Sequence, residues 1–496
     1  MSDKQAASPR SDGFLRRLDD RLNPILVREI NQSLGGRAFP GMLHASVAAI
    51  IVICVIFSQI GYESGQTGRL LMTGCIACIA PLVLGFVPMA AFASTRHEVN
   101  GGTAEQLLMT RLRPLRIVSG KLSASLLHFV IFLSVFAPVI AITYLLNGVD
   151  MAMVVLLLFM AMMLAIAATS FAVAMGTLGG TKHFQQLVQG VTSTALFGFA
   201  FWAMAGSGFV PELLAGWLRD GEFWASMGAV VAAVAAFTLL CCIIAATSLA
   251  HAYENRSTPF RVFAVGVQVL AIPWMLLVLR TPDLDDIPAY LSMGIAGFGL
   301  PFWLWANCED RALSPRVRTL VPRRAWLARL SVPFLPGGDR GFVLTLLMAV
   351  IGATTPWITA WLGGVSVRSN PARACALTWC YVVTYAGIAR FVRLRMGSAR
   401  GRSLLTMVIV ALGSGLFWVG VIFFDILTVG RPQWHLLHLP DPFMTLDKMW
   451  SLTSSVTPVI VMTLACGLLG VLISVRRAFA EIAQASAQRR KLASGS

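Results

Sequence analysis

The residues best suited to a specific task lie in the polar segment 94–121, between two long apolar runs. Gly102 and the glycine before it interrupt the helical pattern, and Thr103 is suited to be the N-cap of a new short helix. Gln106 can complete a capping box, and Glu105 carries the negative charge that the start of a helix favours. A capped acidic helix at the water side of two membrane spans is suited to docking onto a soluble protein.

Motifs for catalysis, nucleotide binding and metal binding are missing from the sequence. The phosphate-binding pattern G-x-x-x-x-G-K-[ST] does not occur, and the Gly-rich run at 179–182 lacks its spacing. Neither H-E-x-x-H nor G-x-S-x-G is present. Cys75 and Cys78 have the spacing of a redox pair, but they lie in an apolar run without a nearby histidine, which favours a packing role. We therefore expect no catalytic, metal-binding or cofactor-binding residue in this chain.

A second patterned segment precedes the first apolar run. Asn23 is a typical N-cap and Pro24 fits the first helical position. Apolar residues then recur every fourth position, at Leu26, Ile30 and Leu34. Because Arg28 and Glu29 fall on the other faces, the sequence predicts an amphipathic helix in the plane of the membrane interface.

Composition indicates that these segments are held by membrane-spanning helices. The chain of 496 residues is 57% hydrophobic and only 12% charged, far below the charged fraction of about 25% in soluble domains. Runs long enough to span a membrane lie near 41–60, 70–93, 122–146, 151–178, 187–205, 223–250, 262–279, 287–306, 341–363, 374–391, 403–428 and 452–475. The predicted fold is therefore an all-α, polytopic integral membrane protein with about twelve transmembrane helices and an N-terminal amphipathic helix.

The distribution of basic residues predicts the orientation. With both termini in the cytosol, 32 of the 39 Lys and Arg residues fall on the inner side, as the positive-inside rule requires. The formal net charge of +16 then reflects topology and contact with anionic membrane lipids, and no nucleic-acid partner is expected.

The two patterned segments resemble the permease subunits of ABC-2-type transporters. In that family an E-x-x-x-G-T-x-E-x-L-L-x-T stretch and a following I-x-x-G-K lie between the second and third membrane helices. The corresponding residues here are Glu98, Gly102, Thr103, Glu105, Leu107, Leu108, Thr110, Ile117, Gly120 and Lys121. Asn100 and Arg111 depart from the family pattern, where an acid and a proline are usual. Asn23, Pro24, Arg28 and Glu29 resemble the start of the family's amphipathic "elbow" helix.

The resemblance implies a permease, most simply an exporter in the cytoplasmic membrane, without enzymatic activity of its own. Segment 98–121 would couple it to separate ATPase subunits, which would bind ATP and Mg²⁺. Because such transporters use two ATPase subunits, we expect a homodimer, or a heterodimer with a related permease. The alternatives are a scaffold or accessory subunit that moves no substrate, and a polytopic membrane enzyme. No group of polar residues in the sequence indicates which substrate is transported.

The sequence divides into four parts. We expect a cytosolic N-terminus with the interfacial helix at 1–40, a six-helix permease unit at 41–255, a second six-helix region at 256–475, and a basic cytosolic tail at 476–496. Region 256–475 is either a degenerate repeat or an unrelated addition. Its longest inner loop, 307–340, lacks the G-T-x-E pattern and mixes Arg with apolar residues, as interfacial segments on anionic lipid do.

Overall fold

All regular secondary structure that the computed structural model describes is helical. The described residues are 23–60, 67–103, 106, 114–146, 149–179, 182–208, 221–250, 254–278, 287–309, 315–363, 369–396 and 476–488. The chain divides into two compact units, Met1–Ala250 and His251–Ser496.

The described residues of the first unit form eight α-helices and one π-helical turn. They are α1 (Pro24–Gly35), α2 (Ala38–Ile60), α3 (Thr67–Ala80), the π turn (Pro81–Phe86), α4 (Val87–Asn100), α5 (Pro114–Leu145), α6 (Met151–Gly176), α7 (Lys182–Gly206) and α8 (Gly221–Leu249). The π turn joins α3 and α4 into one apolar run, Gly68–Asn100. It begins at Pro81, which has no amide hydrogen to donate to the helix ladder.

One core cluster of the first unit lies between α2, α3, α5 and α6 and combines aliphatic, aromatic and sulfur-containing side chains. Phe132 and Phe136 of α5 are fully buried, and Met72 and Met153 pack in the same cluster. Large apolar side chains on the outer faces remain exposed, for example Ile51 at 58%. Exposed apolar faces on long helices are the surfaces that a bilayer would cover.

In the described residues of the second unit the α-helices are α9 (Thr258–Val278), α10 (Ile287–Phe298), α11 (Leu300–Cys308), α12 (Pro315–Leu320), α13 (Ala325–Leu330), α14 (Gly338–Gly363), α15 (Ser369–Met396) and α16 (476–488), and a 3₁₀ turn covers Val332–Phe334. Its core centres on Trp303 and Trp379, whose rings lie 5.9 Å apart in an edge-to-face arrangement. Gly352 faces the Trp379 indole, which leaves no room for a larger residue.

The prediction of an all-helical fold with apolar helices of membrane-spanning length is confirmed. Nine helices in the described part of the chain are long and apolar enough to span a membrane, or ten if α10 and α11, bent by 46°, form one span. These ten correspond to the first ten predicted runs. The last two runs, 403–428 and 452–475, lie outside the described residues, so the total of twelve stays a prediction.

Some predicted boundaries were wrong. The helices extend beyond the apolar runs 70–93 and 122–146: α4 continues to Asn100, just before the predicted glycine break, and α5 begins at Pro114. Proline at the first helical position explains the early start of α5. The short run 374–391 is the middle of a 28-residue helix, α15. Charged residues near both ends of α15 lower the local hydropathy, so the apolar run in the sequence is shorter than the helix.

Candidate functional site

The N-terminal patterned segment forms helix α1 as predicted. The Asn23 side-chain oxygen accepts a hydrogen bond from the Ile25 amide at 3.1 Å, and Pro24 follows as the first helical residue. The other side-chain atom of Asn23, Nδ2, donates to the Arg116 carbonyl at 2.7 Å. The cap residue therefore also fastens α1 to the first turn of α5.

A glycine on α5 allows α1 to lie against it. An ideal Cβ at Gly120 would stand 2.7 Å from the Ile25 Cβ and 2.9 Å from Asn23 Nδ2. Both distances are shorter than non-bonded atoms tolerate, so a larger residue would force the helices apart. Ile25 is 3% exposed in this contact.

The charged residues of the two motifs form one ion cluster. Lys121 Nζ of α5 lies 2.5 Å from Glu29 Oε1 of α1 and 3.0 Å from Glu98 Oε2 of α4. Arg28 Nη2 lies 2.7 Å from the other oxygen of Glu98. Ser94 accepts a hydrogen bond from Lys121 at 2.8 Å and donates one to Glu29 at 2.9 Å. Two cations and two anions from three helices thus balance one another.

The cluster is largely shielded from solvent. The side chains of Lys121, Glu98 and Glu29 are 3%, 7% and 12% exposed, whereas Arg28 is 37% exposed. Removing one partner from a buried ion pair leaves an unpaired buried charge, and this typically costs about 3–5 kcal/mol. The cluster therefore constrains the relative positions of α1, α4 and α5.

Two further contacts hold the N-terminal helices α1 and α2 near α5. Ser33 Oγ lies 2.8 Å from His128 Nε2, and the His128 ring packs on Phe39 at 4.7 Å between ring centroids. A cavity of about 230 Å³ lies beside these residues, with Glu29 and Lys121 in its wall.

The turn after α4 has the predicted helix break but a different cap. Gly102 adopts a left-handed conformation with φ of 72°, which only glycine adopts without strain. Thr103 was expected to be the N-cap of the following helix. It is already helical, and its hydroxyl donates to the Glu98 carbonyl at 3.2 Å. The Thr103 hydroxyl therefore binds a carbonyl of the last turn of α4, where carbonyls lack an intrahelical partner.

The remaining predicted coupling residues, Glu105, Leu107, Leu108 and Thr110, lie outside the described residues. The structure brings together Asn23, Pro24, Arg28, Glu29, Glu98 and Lys121, with Gly102 and Thr103 one turn away. Neither motif predicts a role for Ser94 or the contact between the two motifs. The sequence signal for this contact was the opposite charge of residues in the two motifs, Arg28 with Glu98 and Glu29 with Lys121.

Metal chemistry has no support in the described part of the chain. No group of three or more His, Cys, Asp or Glu side chains there is arranged to hold a metal ion. The ion cluster links α1 to the ends of two long apolar helices, α4 and α5.

Comparison of the chain with protein-family models, with curated proteins and with solved structures gave no significant match.

Proposed function

We propose that this protein is the membrane-spanning permease subunit of an ATP-driven transporter of the ABC-2 type, acting as an exporter with separate ATPase subunits. The observation that carries the proposal is the ion cluster of Glu29, Glu98, Lys121 and Arg28. Its members come from the two segments whose sequences separately resemble elements of such permeases.

The geometry suits transmission of movement from a docked partner. The connection at 101–113 joins α4 and α5, and both helices are clamped to α1 close to that connection. A force on the connection would move α4, α5 and α1 together, because separating them would break buried ion pairs. In this proposal the Glu98 and Lys121 side chains hold the three helices together through the ion cluster. Residues 103–110 contact the ATPase.

The chemistry of the spans favours a mechanically driven permease over an ion-coupled carrier. Ion-coupled carriers place ionisable side chains in the membrane interior to bind the coupling ion. In the described spans the buried charged side chains all lie within a few turns of a helix end: Glu98, Lys121, Arg261, Asp339, Arg340, Arg390 and Arg393. A permease that is driven by an ATPase partner does not need ionisable side chains in the membrane interior to bind a coupling ion.

The proposed assembly has two permease chains, either identical or related, with two ATPase subunits. The test is to purify the tagged full-length chain from its native membrane in mild detergent. We expect a subunit with a G-x-x-x-x-G-K-[ST] loop to co-elute in equal amount, vanadate-sensitive ATP hydrolysis, and a mass equal to two permeases and two ATPases. A chain without any nucleotide-binding partner would refute the proposal. A complex that hydrolyses ATP but moves no substrate after reconstitution would favour the accessory-subunit alternative.

A further inference from the structure

The connection between α11 and α14 in the second unit has one buried and one exposed face. Val317, Val321, Ala328 and Val332 are at most 2% exposed. Trp326 and Leu330, on the short helix α13, are 61% and 65% exposed. The connection thus buries its valine and alanine side chains, while Trp326 and Leu330 project from its exposed face.

Helix α16 provides the support under this segment. Ala478, Ile482 and Ala485 of α16 pack in one cluster with the buried residues of the connection. Glu481 of the same helix lies 2.6 Å from Arg340, at the start of α14. Two segments about 150 residues apart in sequence therefore build one layer.

Buried polar contacts fix the layer to the ends of the spans. Arg261 is fully buried, lies 2.7 Å from Glu309 and donates to the Gly337 carbonyl at 3.1 Å. The Gly337 amide in turn donates to Glu309 at 2.8 Å. Arg390 of α15 pairs with Asp339 at 2.8 Å. These contacts fix the connection between α11 and α14, together with α16, to the ends of α9, α14 and α15. We call these two segments together the platform.

The outer surface of the platform is strongly basic. The exposed arginines are Arg318, Arg323, Arg324 and Arg329 of the connection, with Arg476 and Arg477 on the first turn of α16. The two acidic residues in the described parts of these segments, Glu309 and Glu481, are paired with the buried Arg261 and Arg340. Arg323, Arg324 and Arg329 lie within three residues of the exposed Trp326 along the chain.

We propose that this platform binds the anionic phospholipid headgroups of the adjacent membrane surface. Arginine forks bind phosphate oxygens, and tryptophan favours the headgroup level of a bilayer. The platform directly adjoins the ends of spanning helices, on the face that the distribution of basic residues predicts to be cytosolic. Each arginine near an anionic surface contributes a factor of about five in affinity.

The test uses the full-length protein in nanodiscs made of equal parts of phosphatidylglycerol and phosphatidylcholine. Native mass spectrometry counts the lipids of each class that stay bound after release. We expect the triple variant Arg323→Gln/Arg324→Gln/Arg329→Gln to lower the ratio of bound phosphatidylglycerol to phosphatidylcholine at least tenfold. The corresponding triple Lys variant, which keeps the charges, should stay within a few-fold of the parent.

The matched control removes three exposed cations from the first unit, in Arg37→Gln/Arg116→Gln/Lys182→Gln. It should leave the lipid ratio unchanged. An equal loss in this control, or no loss in the platform variant, would overturn the proposal. So would loss of a co-purifying ATPase with lipid retention intact, because the platform would then be a protein-docking surface. The parent's lipid ratio does not depend on whether the chain is a transporter.

Discussion

Replacing Lys121 by methionine removes the central cation of the ion cluster while it keeps the length of the side chain. Lys121 is 3% exposed and contacts both Glu29 and Glu98. Loss of one partner from a buried pair typically costs 3–5 kcal/mol. Glu98 keeps Arg28 at 2.7 Å and Glu29 keeps the Ser94 hydroxyl at 2.9 Å. We therefore expect the lower end of that range, about 3 kcal/mol of unfolding free energy.

The assay is unfolding of the purified chain in mixed micelles by increasing SDS, followed by tryptophan fluorescence. The exposed Lys182 provides the control, since Lys182→Met should change the unfolding free energy by less than about 0.5 kcal/mol. The double variant Glu29→Gln/Lys121→Met removes both charges of the closest pair. It should be destabilised by less than the sum of the two single changes, because the residues share one network.

Equal stability of Lys121→Met and the parent would refute the reasoning. So would strict additivity in the double variant, since it would mean that Lys121 and Glu29 act independently despite their 2.5 Å contact.

Two further predictions concern packing and topology. Gly120→Ala should lower the unfolding free energy by about 1–3 kcal/mol, because its Cβ would overlap Ile25, whereas Gly190→Ala, with open space around it, should be neutral or stabilising. Equal effects at the two glycines would exclude the close contact between α1 and α5. In a cysteine-free background, Ala325→Cys and Asp150→Cys should react with an impermeant thiol reagent from opposite sides of the membrane, and reaction of both from one side would contradict the predicted orientation.

The local elements of the first unit could be predicted because their signals are local. Asn23-Pro24 specifies the start of α1, and the glycine pair ending in Gly102 specifies the end of α4. Candidate spanning helices follow from the length of apolar runs, so each candidate span in the described residues has a predicted counterpart. Their ends were misplaced where charged residues such as Glu98 and Lys121 lie inside a helix, since hydropathy treats a buried, paired charge as if it were in water.

The tertiary arrangement could not be predicted from these patterns. Nothing in the spacing shows that Lys121 contacts Glu29, 92 residues earlier, or that Gly120 makes room for Ile25. In the second unit, the pairing of Arg340 with Glu481 joins segments that sequence analysis treated as an inner loop and a tail. Such contacts depend on how the helices pack against one another, whereas the sequence pattern shows only which face of each helix is apolar.

The most direct test of the proposed coupling is ATP hydrolysis by the purified complex carrying Glu105→Lys, with Asp150→Lys as control. Glu105 lies outside the described residues, and its proposed role rests on the motif alone. Reversing a charge at a helix start costs about 0.3–1 kcal/mol, and breaking a buried interface pair costs several times more. Asp150→Lys makes the same charge change on the predicted outer side and should leave hydrolysis unchanged. The account predicts that Glu105→Lys lowers co-purification and hydrolysis at least tenfold, and a Glu105→Lys complex that forms and hydrolyses ATP as the parent does would contradict it.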